Sequence, residues 1–180
     1  PVIVYYSALG IGYKLVEIIL IQKLTFFLAD PIFSVSVVIT SMLVLSGLGS
    51  LYSQKIPENK IKNFIKMAMV ILAGVLLFYA FGLWPLLKPL LGLPLFLKVV
   101  LVIIVLAPGA FIMGIPFPTG LSYLGKKQAN LLPWAWGMNG ALSVSGSILA
   151  RLVSIHLGFS TVLVFAIILY ALVAWLFPRN

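Results

Sequence analysis

The chain has 180 residues, 63% of them hydrophobic and 8% charged, at a mean hydropathy of +1.22. A soluble domain carries about 25% charged residues and has too little interior at this length to hide so much apolar surface, so the composition excludes a soluble enzyme and points to an integral membrane protein. The net charge of +9, twelve Lys and Arg against Glu17, Asp30 and Glu58, would suggest nucleic acid in a soluble chain; here the basic residues fall mostly in short loops between apolar runs, where they set orientation and attract anionic headgroups, and no nucleic-acid partner is expected.

The first apolar span is predicted from about Val2 to Leu28, with no proline before Pro31. Such a helix is roughly 40 Å long against a hydrocarbon core of ~30 Å, so it tilts or protrudes. Asp30-Pro31 marks the turn into a second span, about Phe33 to Tyr52, and the polar run "SQKIPENKIKNFIK" breaks the pattern. The third span occupies about Phe64 to Leu83, ending before Trp84-Pro85. The fourth runs from about Leu95 to Gly114, interrupted at Pro108-Gly109 and closed by "GIPFPTG". After "GKKQAN" come a fifth span, about Pro133 to Leu157, a tight "GFS" turn, and a sixth, about Ser160 to Phe177. The fold class is therefore all-α, a single polytopic bundle of six transmembrane helices over residues 1–180.

An even number of spans puts both termini on one side. Lys55, Lys60, Lys62, Lys66, Lys126, Lys127 and Arg179 then share that side, while Lys23, Lys88 and Lys98 fall on the other. The asymmetry predicts cytoplasmic termini and cytoplasmic loops after the second and fourth spans. The first residue is Pro1, consistent with removal of a start Met or with a piece of a longer polypeptide. Neither a basic n-region nor a small-residue cleavage site is present, so a signal peptide is not expected.

Without cysteine, the chain has no disulfide, thiolate metal site or c-type haem attachment. His156 is the only histidine, and one His with three scattered carboxylates builds no transition-metal site. No phosphate-binding, dinucleotide-binding, zinc-protease or serine-hydrolase motif occurs. Gly10-Ile11-Gly12 lies inside an apolar helix and reads as a packing site. Neither catalytic residues nor a cofactor or metal are expected.

Small residues recur at spacings that let helix backbones approach: Ser46, Gly47, Gly49 and Ser50 in the second span, Ser143 with Ser147 and Gly146 with Ala150 in the fifth. Both spans are predicted to lie inside the bundle.

The polar residues of "YKLVEIILIQK" are out of place in lipid. A mid-span lysine costs ~2.5–3.5 kcal/mol on insertion scales. Glu17, three residues beyond Lys14, shares its face and can pair with it. Gln22 belongs to the same polar run, predicted to face protein, while Lys23 is near enough to the outer edge to snorkel. On the fifth span, Asn139 stands between Gly137 and Gly140, Arg151 lies about four residues inside the outer end, and His156 reads as an interfacial hydrogen-bonder. Glu17 is the only acid clearly within a span and can neutralise one of Lys14 and Arg151. The other must reach water, a backbone carbonyl, a lipid phosphate or an acid from another chain. Lys14, Glu17, Gln22, Asn139 and Arg151 are thus the candidate intramembrane contacts for a partner or a solute; a structural pair plus a snorkelling arginine is the alternative. In "IPENKIKNFIK", Lys60, Lys62 and Lys66 suit anionic lipid headgroups beside the apolar Ile61, Phe64 and Ile65.

The segments "GIGYKLVEIILIQKLTFFLADPIFSVSVVITSMLVLSGLGS", "MGIPFPTGL" and "PWAWGMNGALSVSGSILA" resemble the C-terminal membrane part of bacterial spermidine-synthase-like membrane proteins, in which helices similar to the major facilitator superfamily are fused to an aminopropyltransferase-like soluble domain. The resemblance runs from Gly10 to about Leu176 and implies half of a facilitator-type fold in a bacterial inner membrane. The synthase-like domain is absent from the chain, and with it any residue to bind the substrates of aminopropyl transfer. Lys14 and Arg151 replace residues expected to be apolar in that group, whereas Glu17 fits its pattern. Three functions follow as expectations: a non-catalytic module or accessory subunit of a larger membrane assembly, a transporter half that dimerises to move a small polar solute, or the membrane part of an enzyme whose soluble domain lies elsewhere.

Overall fold

The computed structural model describes residues 2–177, nearly all of them helical and none in a strand. Eight α-helices follow in order: α1 Val2–Leu28, α2 Pro31–Ser53, α3 Ile61–Leu77, α4 Leu83–Leu87, α5 Leu95–Met113, α6 Pro116–Lys127, α7 Leu132–Leu157 and α8 Phe159–Leu176. Among the described residues six helical stretches are long and apolar enough to cross a membrane: α1, α2, Glu58–Leu90, Leu95–Lys127, Ala129–Leu157 and α8. The chain is an all-helical, multi-pass membrane protein.

Local chemistry sets the boundaries. The Asp30 carboxylate accepts a 2.7 Å hydrogen bond from the Phe33 backbone N–H, and Pro31 occupies the first turn, where its missing N–H costs nothing. The second span therefore begins at Pro31, two residues before the predicted start. Gly158, at φ +83°, makes the turn between α7 and α8.

The third and fourth spans differ from the sequence reading. The third does not stop before Trp84-Pro85. It widens into a π-helical turn at Phe78–Gly82 and continues through α4 to Leu90. Pro85 is five residues after Ala80 and has no N–H, so in the wider i→i+5 register the Ala80 carbonyl finds no donor in its own helix. The fourth span is not interrupted at Pro108, which sits inside α5. In the turn that precedes this proline, the Val105 carbonyl accepts a 2.7 Å bond from the Tyr79 hydroxyl. Gly109 makes room: a methyl group there would lie 2.8 Å from Tyr79 Oη. "GIPFPTG" does not end the helical rod either, because Pro116 restarts it as α6.

α1 is the hub. It packs against α7, α8 and α2; α2 packs on α5, and α3 on α8 and α5. Buried side chains surround α1, among them Tyr6, Val16, Ile19, Leu24 and Phe27, as for a helix apolar all round. In lipid, burying apolar surface gains little over hydrocarbon, so close backbone approach matters more. Two crossings provide it. A side-chain carbon on Gly49 would collide with the Phe111 carbonyl and one on Gly114 with the Ser46 carbonyl, which seats α2 on α5. On the other side, a carbon on Gly10 would collide with the Asn139 carbonyl, and one on Gly146 would sit 3.0 Å from Ile11 Cα, which seats α1 on α7.

The expectation that the second and fifth spans are interior needs correction: α2 buries only the side toward α1 and α5, with Ile32, Leu43, Val44, Leu48 and Leu51 exposed. Gly146 and Ala150 are buried against α1, but α7 is the least buried of the six spans. Gly137, Gly140, Ala141, Val144, Ser145 and Ile148 are exposed. The small residues on the two sides of α7 thus serve different surfaces, and only one set meets this chain.

At one end of the bundle Lys126 Nζ lies 2.9 Å from Glu58 Oε2. This exposed pair joins the segment after the second span to the end of the fourth, so the two connections share a face. Lys55, Lys60, Lys62, Lys66 and Lys127 are exposed on the same connections; Arg179 lies outside the described residues.

Candidate intramembrane polar site

Near the middle of α1, Lys14 Nζ lies 2.7 Å from Glu17 Oε1. The three-residue spacing puts both groups on one side of the helix. Glu17 is buried, its side chain only 5% exposed, whereas that of Lys14 is 31% exposed. The pair is therefore open on the lysine side.

It opens into a groove of about 550 Å³ between α1, α2, the junction of α5 with α6, and α7. α1 contributes Tyr13, Lys14 and Glu17; α2 contributes Ser46 and Ser50; α7 contributes Asn139 and Ser143. Met113, Gly114 and Phe117 close the far wall, and the apolar Leu9, Ile39 and Leu43 line the groove too, with Tyr170 reaching in from α8. Leu43 and Gly47, on its border, are exposed. The α2–α5 crossing at Gly114 and Ser46 thus forms the wall opposite the ion pair, and the α1–α7 crossing at Gly10 carries Asn139 and Ser143 to the groove.

The polar groups here are unevenly satisfied. Asn139 Nδ2 donates to the Tyr6 carbonyl at 3.2 Å, and the Ser143 hydroxyl donates to the Asn139 carbonyl at 2.7 Å. The Tyr13 hydroxyl, on the same lining as Ser46, is buried with no hydrogen-bond partner among the described residues. Glu17 Oε2 also has none, and Lys14 Nζ uses one of the three donors an ammonium carries.

The structure divides the five candidate residues. Lys14, Glu17 and Asn139 meet in the groove. Gln22 does not: five residues past Glu17 it is rotated roughly 140° around the helix, and its buried Oε1 is unpaired. Arg151 also stands apart, exposed on α7, its guanidinium with no hydrogen bond or ion pair among the described residues. It is twelve residues beyond Asn139, about 18 Å along the helix. Lys60, Lys62 and Lys66 are all exposed. His156 Nδ1 lies 2.9 Å from the carbonyl of Leu152, within its own helix.

Lys23 does not snorkel. Its ammonium donates to the carbonyls of Tyr79 at 2.7 Å and Ala80 at 2.8 Å, and the Ser160 hydroxyl also donates to Ala80 at 2.9 Å. Of these, Ala80 is the carbonyl whose i→i+5 position is taken by Pro85, which has no N–H to donate. Sequence reasoning missed this contact; the one signal was a lysine and a proline on different spans, both near the same end of the bundle.

No family model, curated protein or solved structure matches the chain.

Proposed function

We propose that this chain is a non-catalytic, six-helix unit of a larger membrane assembly, and that a second membrane-embedded unit covers the groove between α1, α2 and α7. One observation carries this reading: a buried carboxylate and its lysine border a groove that opens at the surface of a bundle built for lipid. Hydrocarbon offers such groups nothing, and leaving them facing it costs several kcal/mol, about what an unpaired buried charge costs. Protein or trapped water beneath a partner removes that cost. The exposed small residues of α7 flank the groove and let another helix approach closely.

The partner is a different chain or domain. Among the described residues every acid that a second copy could offer Arg151 already has a partner, Glu17 in Lys14, Glu58 in Lys126 and Asp30 in the cap of α2, so a chain with an acid of its own fits better. The resemblance to spermidine-synthase-like membrane proteins agrees with this reading: the chain would be the facilitator-like membrane half, working beside another helical half or a separate synthase-like domain. The clustered lysines favour cytoplasmic termini and anionic headgroups around Lys60, Lys62 and Lys66, and the resemblance favours a bacterial inner membrane. A second reading, a transporter half, is favoured by the groove itself, since transport sites form near mid-membrane between repeats.

Photocrosslinking in native membranes tests the assembly. Probes at Gly47 and Gly140, where no atom lies within 4 Å of an added Cβ, should both trap one other membrane protein at fixed stoichiometry. A probe at Val70, exposed on α3, should not. Self-crosslinks from both groove positions would establish the homodimer instead, and lipid adducts alone would refute any partner.

A further inference from the structure

Three features of the groove constrain what can occupy it. It holds one positive and one negative group in contact, so its own charge sums to zero. No further ionised group lines it: Lys23 is bound to carbonyls elsewhere, and Arg151 lies eight residues beyond Ser143, about 12 Å along α7. Finally, both members of the pair line the groove and each has bonding capacity left, Glu17 at Oε2 and Lys14 at two N–H groups.

In a low-dielectric site an occupant with net charge leaves that charge uncompensated, whichever sign it has. An uncharged polar molecule avoids this cost but offers the carboxylate and ammonium weaker bonds than an ion would. A molecule with one ammonium and one carboxylate meets both conditions. Its ammonium bonds Glu17 Oε2, its carboxylate bonds Lys14 Nζ, and the existing 2.7 Å bridge stays in place, so four charges close into a neutral ring. The unpaired Tyr13 hydroxyl can add a donor. A cavity of about 550 Å³ lies in the range of small-molecule sites.

We infer that the groove at Lys14 and Glu17 is a binding site for a small zwitterion of the amino-acid type. The inference goes beyond the assembly proposed above and uses only this chain's residues; a covering partner would enclose the ligand but not supply its charge partners.

The test is equilibrium binding to the full chain in lipid nanodiscs, with whatever partner co-purifies. Glycine, L-leucine and L-glutamine are the zwitterionic probes; 3-methylbutylamine and 4-methylpentanoate, which are L-leucine stripped of its carboxylate or its amine, are the charged controls. At least one zwitterion should bind saturably, and for L-leucine both stripped analogues should bind tenfold or more weakly. The double variant Lys14→Met/Glu17→Gln keeps the site neutral, so it should fold and yet lose binding at least tenfold. Saturable binding by none of the three zwitterions, equal binding of the charged analogues, or full binding by the double variant would overturn the inference. Crosslinking at Gly47 and Gly140 reads the assembly independently, so either proposal can fail alone.

Discussion

Lys14 and Lys23 sit nine residues apart on α1, both within a transmembrane segment, and the protein deals with them in opposite ways. Lys23 is met by backbone: the carbonyls of Tyr79 and Ala80, in a π turn that Pro85 follows, with Ser160 reinforcing the second. Those acceptors belong to the main chain, so the contact ties α1 to the third span and to α8. Lys14 is met by a side chain, at 2.7 Å, beside an open groove, and both partners keep bonding capacity. The difference teaches that an intramembrane charge is not a functional sign in itself. What marks a site is the capacity left after the charge is neutralised.

The contrast depends on the groove keeping its shape, so the variant with the largest expected effect is at its far wall. Gly114→Ala places a carbon against the Ser46 carbonyl and must push α5 off α2. We expect a loss of about 3 kcal/mol, the upper end for overpacking a tight contact, measured by unfolding in mixed micelles. Gly47→Ala, on the open border of the same groove, meets nothing within 4 Å and should change stability by less than about 0.5 kcal/mol. Equal losses would mean that α2 and α5 are not seated as described.

Glu17→Gln comes next. It removes the only charge opposite Lys14; breaking a fully buried pair costs about 3–5 kcal/mol, and the 31% exposure of the Lys14 side chain lowers this toward about 2 kcal/mol. Adding Lys14→Met should recover most of the loss, because the uncompensated charge goes with it. Lys23→Met should cost somewhat less, about 1–2 kcal/mol, by removing the side-chain donor of the Tyr79 carbonyl and one of the two at Ala80, which keeps Ser160. No second substitution of an acid can rescue it, since no acid is involved. Rescue of Lys23→Met by an acid-removing change, or failure of Lys14→Met to rescue Glu17→Gln, would erase the distinction between the two lysines.

Much of this was legible in the sequence because lipid restricts a chain to few solutions. Six apolar runs become six spans, and the Lys14–Glu17 spacing fixes a shared face whatever surrounds it. Small residues at four-residue spacing, such as Gly146 and Ala150, mark close crossings, but they do not say which side of α7 meets which neighbour. That is why α7 proved half bare. Pro85 and Pro108 read as interruptions because proline removes one hydrogen bond locally. The repairs come from Lys23, Ser160 and Tyr79 on other segments, and such contacts leave no periodic trace. Gln22 turns to protein as expected, but away from the groove, because neighbours in sequence share a helix but not its face.

The smallest effect concerns the exposed pair of Lys126 and Glu58, which joins two connections at the basic end. Both side chains are more than half exposed, at 61% and 68%, so water and salt screen the attraction, and such pairs are typically worth about 0–1 kcal/mol. Glu58→Gln should therefore cost less than about 0.5 kcal/mol at low ionic strength and nothing measurable in 0.5 M salt, whereas the loss in Glu17→Gln should persist there because the groove excludes most ions. Unfolding measured across a salt series separates the two. If both losses fade together as salt rises, Glu17 is no better shielded than Glu58, and a solvated crevice replaces the intramembrane site.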